Sequence, residues 1–376
     1  MMYKRYKICI CGGGNIGHAL AAILGSRQDL DVRILTGSPQ KWKHNMEAKV
    51  EETTKLVTMQ NIITDDSFVG VKDADVIFMT VPSYARAEVL GKISPYVKEN
   101  AWVGGVPGSG GFEWIAKALL GDKVNIFGLQ RVPYISRIIE YGRSVNITSV
   151  KKEIYVATLC KNKSNEVKEI LNYIFQVPVH LLENYLEVSL STSNPILHPS
   201  RLYGMFSNWK NGQYFKSKIL FYEEWDDLSS EILLSCDEEL QQICKAIPIR
   251  LLGVKSLKEH YESQNKKEFS KKIKSIKAFK GIETDMVHIK DGYAPNFQSR
   301  YFLEDIPFGL VMLKGIGEIT KVKTPTMDSI IQWAQFHMDK QFINNGKLCG
   351  KDMPSTSAPQ VFKINSLEKL VDFYCD

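Results

Sequence analysis

Three side chains in this sequence have the chemistry for proton transfer on a carboxylate substrate: His198, Arg300 and Asp305. Histidine titrates near neutral pH, which suits it to take a proton and return it. Of the seven histidines, His44, His260 and His288 lie in highly charged neighbourhoods, and His18 is expected on a helix surface. His198 stands in Ser193-Asn194-Pro195-Ile196-Leu197-His198-Pro199-Ser200, where Pro195 and Pro199 restrict the backbone on both sides. Arg300 and Asp305 fall in one run, Ser299-Arg300-Tyr301-Phe302-Leu303-Glu304-Asp305-Ile306-Pro307-Phe308-Gly309. An arginine fork grips a carboxylate by two parallel hydrogen bonds. An aspartate fixes a histidine tautomer and stabilises its charged form. Spacing alone leaves two readings open for each. His198 is catalytic or structural, and Arg300 with Glu304 is a substrate clamp or a helix-surface pair, with Asp305 as a cap.

A second constellation could supply the redox partner. Gly12-Gly13-Gly14-Asn15-Ile16-Gly17 fits G-x-G-x-x-G between a short apolar strand and a helix, the context that separates a dinucleotide-binding turn from a merely glycine-rich one. Gly12 permits the tight turn, Gly14 lets the backbone approach a pyrophosphate, and Gly17 lets helix and strand pack closely. Asn15 and Ile16 begin the helix, whose N-terminal N–H groups favour an anion. A NAD-binding site usually carries Asp or Glu at the tip of the second strand. Here that strand runs into Thr36-Gly37-Ser38-Pro39-Gln40-Lys41, with no carboxylate at the tip. Thr36, Ser38 and Lys41 suit a 2′-phosphate, so NADP (as NADPH) is favoured, with NAD the alternative. Pro82, in Thr80-Val81-Pro82-Ser83-Tyr84, and the turn Val106–Gly111 are candidates for lining the nicotinamide half; both also read as ordinary strand-to-helix turns.

The elements that must position these residues alternate through the first half. Short apolar strands are expected at Lys7–Cys11, Asp31–Leu35, Asp75–Val81, Ala101–Val106 and Val124–Leu129, with a helix over Asn15–Leu24. Such strands separated by helices imply a doubly wound parallel sheet covered on both faces, an α/β Rossmann-type domain. Pro82, Pro107 and Pro133 follow strand ends, where open α/β sheets place ligands. From about Leu182 the pattern turns helical, with helices expected over Trp225–Ala246, Leu257–Phe279 and Thr326–His337. The expected organisation is residues 1–183 as the dinucleotide-binding domain and 184–376 as an all-α domain. His198 would then lie just past the boundary, beside the expected interdomain cleft. The tail ends in a short amphipathic stretch, Ser366–Tyr374.

Composition bounds the class. At 376 residues, 44% hydrophobic and 24% charged, the chain is an ordinary globular one of two or three domains, which excludes disordered, collagenous and rod-like classes. The net charge of +6 is concentrated between Val254 and Gly281, which reads as one solvated helical surface rather than a nucleic-acid-binding face. Seven scattered cysteines with no CxxC pair argue against a disulfide framework and a structural zinc site, so no metal is expected and a reducing compartment fits. No apolar run approaches a membrane span. The basic start is followed by too short an apolar segment for a signal peptide, and the expectation is a cytoplasmic protein, monomer or homodimer, acting on small molecules.

Taken with its longer motifs, the chain resembles the octopine/nopaline (opine) dehydrogenases over nearly its whole length. The resemblance is carried by GGGNIG, Pro107–Trp114 (PGSGGFEW), Gly128–Arg137 (GLQRVPYISR), Ser193–Ser200 (SNPILHPS), Arg300–Leu310 (RYFLEDIPFGL) and Thr324–Ile331 (TPTMDSII). It implies a Rossmann domain followed by a helical domain with substrates bound between them. The activity it implies is reductive condensation of an amino acid with a 2-oxo acid, often pyruvate, using NADH or NADPH. By the same resemblance His198 is the catalytic histidine, Asp305 its partner and Arg300 a substrate-binding arginine. Gln130 matches a substrate-facing position, and Asn194 joins it as substrate-binding. Gly204-Met205-Phe206 departs from the Asn-bearing pattern of other members, which bears on the amine substrate and not on the chemistry. Two other readings stand beside this one: a hydroxy- or keto-acid dehydrogenase of the ketopantoate-reductase or glycerol-phosphate type, and a dinucleotide-binding sensor without turnover.

Overall fold

The computed structural model describes residues 5–51, 53–58, 62–191 and 193–375. The chain divides into two compact units, Met1–Ser189 and Leu190–Asp376, six residues beyond the boundary expected at 183/184. In the first unit eight strands form one sheet: β1 (Tyr6–Cys11), β2 (Leu30–Leu35), β3 (Ile62–Thr64), β4 (Val76–Met79), β5 (Trp102–Gly105), β6 (Asn125–Leu129), β7 (Ile154–Thr158) and β8 (Val179–Leu181). Their spatial order is β3-β2-β1-β4-β5-β6-β7-β8. The first six run parallel in the 3-2-1-4-5-6 order of a dinucleotide-binding fold. β7 then pairs antiparallel with β6, and β8 parallel with β7. In β1, Ile8, Cys9, Ile10 and Cys11 are fully buried, because a strand covered on both faces needs apolar residues at every position and not at alternate ones.

Connection order reverses between β1 and β4, and β1 ends there in the glycine turn. A second sheet of four strands, absent from the sequence reading, is built from Asn45–Val50, Thr53–Thr58, Tyr134–Glu140 and Ser144–Val150. Asn45–Val50 has the alternating signature of a half-buried strand: Met46 and Ala48 are buried between exposed Asn45, Glu47 and Lys49.

Among the described residues the second unit is mainly helical, with a hairpin of Met286–Ile289 and Gly292–Pro295. Its main helices are Asn194–Phe206, Asp227–Ala246, Lys266–Ser275, Val311–Thr320 and Pro325–His337. Asp226 caps the second by accepting from the Ser229 N–H at 2.6 Å. The basic segment is not the single helix expected over Leu257–Phe279. It breaks into Leu257–His260, Lys266–Ser275 and a short 3-10 turn. Glu262 adopts the left-handed conformation, and Asn265 restarts the chain by capping the N–H groups of Lys267 and Glu268. The amphipathic tail is a helix, Leu367–Cys375, with Leu370 and Tyr374 buried.

Candidate active site

The glycine turn shows a division of labour among its glycines. Gly12 has φ +122°, and a Cβ there would lie 2.7 Å from Thr80 Oγ1. Thr80 reaches across from the end of β4, and its hydroxyl donates to the Cys11 carbonyl at 2.9 Å and the Gly12 carbonyl at 3.2 Å. A Cβ on Gly17 would overlap the Gly12 carbonyl oxygen, so only glycine lets the helix start so close to β1. Gly14 is different. It is exposed, and nothing lies within 4 Å of where its Cβ would be. That open space stands at the N-terminus of the eleven-residue helix Asn15–Gly25, which fits a dinucleotide pyrophosphate. Asn15 spends its side-chain oxygen on the Ile138 N–H at 2.8 Å, and Ile16 is half-buried beside it.

At the tip of β2, Thr36 is buried, Ser38 half-buried and Lys41 exposed. The Thr36 hydroxyl is 3.0 Å from the Tyr141 hydroxyl, and Lys41 Nζ lies 6.0 Å from the centre of the Tyr141 ring. Pro82 precedes the helix Ser83–Ile93, whose Arg86 donates to the Pro107 carbonyl at 3.0 Å and to the Ser109 carbonyl. The guanidinium thus pins the Pro107–Gly111 turn.

His18 is a correction. It is fully buried, not on a helix surface. Its Nε2 accepts from the Gly142 N–H at 2.7 Å, which leaves the proton on Nδ1, 3.1 Å from the Gly14 carbonyl. The ring packs 4.2 Å from Trp42. Burial lowers its pKa, so the group stays neutral and serves as a tie between the glycine turn and the turn at Gly142.

In the helical unit, His198 and Asp305 meet across 107 residues of sequence, with His198 Nδ1 at 2.8 Å from Asp305 Oδ2, and both residues buried. Local sequence explains the meeting. Pro195 opens the helix Asn194–Phe206, and Pro199 lies inside it without an N–H to donate. Asp305 ends the short helix Arg300–Asp305, and a π-helical turn, Ile306–Leu310, follows. A Cβ on Gly309 would sit 2.9 Å from Pro195 Cβ, so this glycine lets the turn after Asp305 lie against the start of the His198 helix. Burial pushes the Asp305 carboxyl upward, while His198 opposes it by charge and hydrogen bond. The other imidazole nitrogen, Nε2, lies 3.0 Å from the Tyr222 hydroxyl. Tyr301 meets the ring edge-on at 4.7 Å and Phe221 at 5.6 Å. Spacing gave no sign of Tyr222 or Tyr301; only packing brings them to the imidazole.

The remaining candidates are less enclosed. The Arg300 side chain is 69% exposed and its Nε is 4.0 Å from Glu304 Oε2, a separation at which the pair binds weakly. Asn194 is exposed at the first turn of its helix. Gln130 is half-buried just past β6, its N–H held by the Tyr155 carbonyl at 2.9 Å. Gly204 is a packing glycine: a Cβ would lie 2.5 Å from Ser229 Oγ on the next helix. Among the described residues no group of three or more potential ligands could hold a metal ion, and no helix is long and apolar enough to cross a membrane.

A doubly wound sheet with an open glycine cradle, followed by a helical unit holding a buried imidazole–carboxylate pair, defines a two-domain nicotinamide-dependent oxidoreductase. Comparison with known proteins narrows the class. Residues 181–338 match the model of the NAD/NADP octopine/nopaline dehydrogenase alpha-helical domain, and residues 7–123 match that of the NAD-dependent glycerol-3-phosphate dehydrogenase N-terminus. An opine dehydrogenase of Haliotis discus hannai is 32% identical over 99% of this chain and 100% of its own. A tauropine dehydrogenase of Arabella iricolor is 30% identical over 97% of this chain and 99% of its own. A solved octopine dehydrogenase with NADH and L-arginine covers 97% of both chains at 28% identity and a TM-score of 0.85; one with NADH and pyruvate gives the same TM-score. The chain belongs to the opine dehydrogenase family: it is an NAD(P)-dependent oxidoreductase acting on CH–NH bonds, in the reductive condensation of an amino acid with a 2-oxo acid. The glycerol-phosphate likeness is confined to the cofactor-binding segment.

Proposed function

We propose that this chain condenses an amino acid with pyruvate through an imine and reduces it to an N-(carboxyalkyl)amino acid, with NADPH preferred over NADH. The observation that carries the mechanism is the buried contact of His198 Nδ1 with Asp305 Oδ2 at 2.8 Å. Asp305 accepts from Nδ1–H and leaves Nε2 as the working nitrogen. His198 takes a proton from the substrate ammonium, and the freed amine attacks the keto carbon. A nitrogen proton passes to the alkoxide as the carbinolamine forms. The proton held by His198 returns to the carbinolamine hydroxyl, which leaves as water and gives the protonated imine. When bound at the glycine turn, NADPH would supply the hydride for the carbon of that protonated imine. Arg300 holds a substrate carboxylate, and its exposure leaves the fork free to swing onto one. Gln130 and Asn194 contact substrate.

Gly12, Gly14, Asn15, Ile16, Gly17 and Pro82 form the dinucleotide site, Asn15 and Ile16 through backbone N–H groups. Thr36, Ser38 and Lys41 take the 2′-phosphate; the missing carboxylate at the β2 tip supports this. Pyruvate as the keto acid is supported by the related octopine dehydrogenase solved with NADH and pyruvate. The seven cysteines, all free, support a reducing compartment, the cytoplasm, and the enzyme acts as a monomer or homodimer. The test is NADPH and NADH oxidation with pyruvate against each of the twenty amino acids. Oxidation that requires both substrates is expected, faster with NADPH. Oxidation with the keto acid alone would instead make the chain a simple keto-acid reductase, and a faster reaction with NADH would overturn the cofactor preference.

A further inference from the structure

We infer that Tyr222 is a positioning residue for His198, and that Arg201 holds it in place. The inference rests on the proposed role of the His198–Asp305 pair. Nε2 is the nitrogen left for proton transfer once Nδ1 engages Asp305, and the Tyr222 hydroxyl lies 3.0 Å from it. A phenol both donates and accepts. Beside a neutral imidazole its O–H donates to Nε2. Beside an imidazolium, Nε2–H donates to the phenol oxygen and the phenol hydrogen turns away. The ring of the free enzyme therefore has a partner in either protonation state; Nε2 offers a single in-plane direction, so the phenol yields it when the substrate ammonium or carbinolamine hydroxyl comes to that nitrogen. A phenyl ring at this position would leave Nε2 bare in both states, while Asp305 still holds Nδ1. The charged state would suffer more, because charge-assisted hydrogen bonds are the stronger ones.

The segment that carries Tyr222 is tied to the His198 helix through Arg201. Arg201, three positions beyond His198, is 1% exposed. Its Nε donates to the Phe221 carbonyl at 3.0 Å and its Nη2 to the Glu224 carbonyl at 2.7 Å. Its Nη1 pairs with the Asp226 carboxylate at 3.0 Å and meets Ser229 Oγ at 3.2 Å. The two carbonyls flank Tyr222 in sequence, so the guanidinium clamps the segment that carries the phenol. On the ring face, Phe279 stacks at 4.1 Å. The helix bearing His198 thus also bears the cation that fixes its second partner.

The charged and titratable groups on the segments around the imidazole include Arg201 and Tyr203 on its own helix, then Tyr222, Glu223, Glu224 and Asp226, Lys277 and Lys280 beside Phe279, and Arg300, Tyr301, Glu304 and Asp305 on the facing helix. All but the phenol remain in Tyr222→Phe. With pyruvate, NADPH and the preferred amino acid, this variant is expected to lose about tenfold in kcat, the value of one hydrogen bond, while KM for both substrates stays within about twofold. The acidic limb of its kcat/KM profile moves to lower pH, because the imidazolium loses its acceptor; a purely structural defect would not move it. His198→Ala, measured alongside, separates the two claims. If His198→Ala turns over like the wild type, the pair itself is misread. If His198→Ala is inactive but Tyr222→Phe keeps wild-type kcat and an unmoved limb, the Tyr222 inference alone is overturned. Should Tyr222→Phe fail to fold by thermal melting, 3-fluorotyrosine at 222, a weaker acceptor of nearly the same size, must move the limb in the same direction, and an unmoved limb overturns the inference.

Discussion

At the glycine turn of the N-terminal unit the open groups belong to the backbone, whereas in the helical unit the buried pair consists of side chains gathered from segments 107 residues apart. The first site is made by leaving space out. Gly17 and Gly12 remove side chains so that strand, turn and helix can close up, and Gly14 leaves the opening. The second is made by filling space. Imidazole, carboxylate and phenol are buried together, and each polar atom that leaves water needs a named partner. The first design should therefore be sensitive to added atoms and the second to removed ones.

The largest effect that sharpens this contrast comes from two glycines of one motif. Gly17→Val must displace the Gly12 carbonyl, and overpacking of that kind costs about 1–3 kcal/mol. A lower melting temperature and lost dinucleotide binding are expected together. Gly14→Val meets open space, so its melting temperature should match the wild type while dinucleotide binding alone is lost, as a fluorescence titration would read. If Gly14→Val binds NADPH normally, the open position is not the pyrophosphate cradle. A smaller effect belongs to Lys41. An exposed ion pair is worth about 0.2–1 kcal/mol, so Lys41→Ala should weaken NADPH about two- to fivefold and leave NADH unchanged. Equal loss for both dinucleotides would remove Lys41 from the 2′-phosphate site.

The same contrast explains what could be read in advance. The glycine turn is contiguous, and its meaning depends on a strand before it and a helix after it, both carried by local apolar pattern. Strands β1, β2, β4, β5 and β6 were legible for the same reason, to within a residue or two at their ends, whereas Ile62–Thr64, Ile154–Thr158 and Val179–Leu181 were not. The four-stranded second sheet was not, because its two short hairpins, Asn45–Val50 with Thr53–Thr58 and Tyr134–Glu140 with Ser144–Val150, come together only through the long-range parallel pairing of Ser144–Val150 with Asn45–Val50. Alternation in Asn45–Val50 and the β-branched runs on either side of Tyr141-Gly142 were the local signals. Leu257–Phe279 misled because its lysines and apolar residues keep helical spacing while Glu262 and Asn265 interrupt the backbone. His198 and Asp305 could be picked as chemically apt, and the family resemblance joined them. His18 was misjudged, since its place after a glycine motif says nothing about the Gly142 N–H that binds it. Tyr222 and Arg201 carry no spacing signal, and their roles exist only in the packed unit.

The most direct test of the central claim, that His198 and Asp305 work as one proton-handling unit, is a double-mutant cycle on kcat with His198→Ala, Asp305→Asn and the double variant, each confirmed folded and able to bind NADPH. His198→Ala should lose about 10²–10⁴-fold, Asp305→Asn less, and the double variant no more than His198→Ala alone, since a partner cannot orient a ring that is gone. Losses that multiply across the cycle, or a His198→Ala variant that turns over like the wild type, would contradict it.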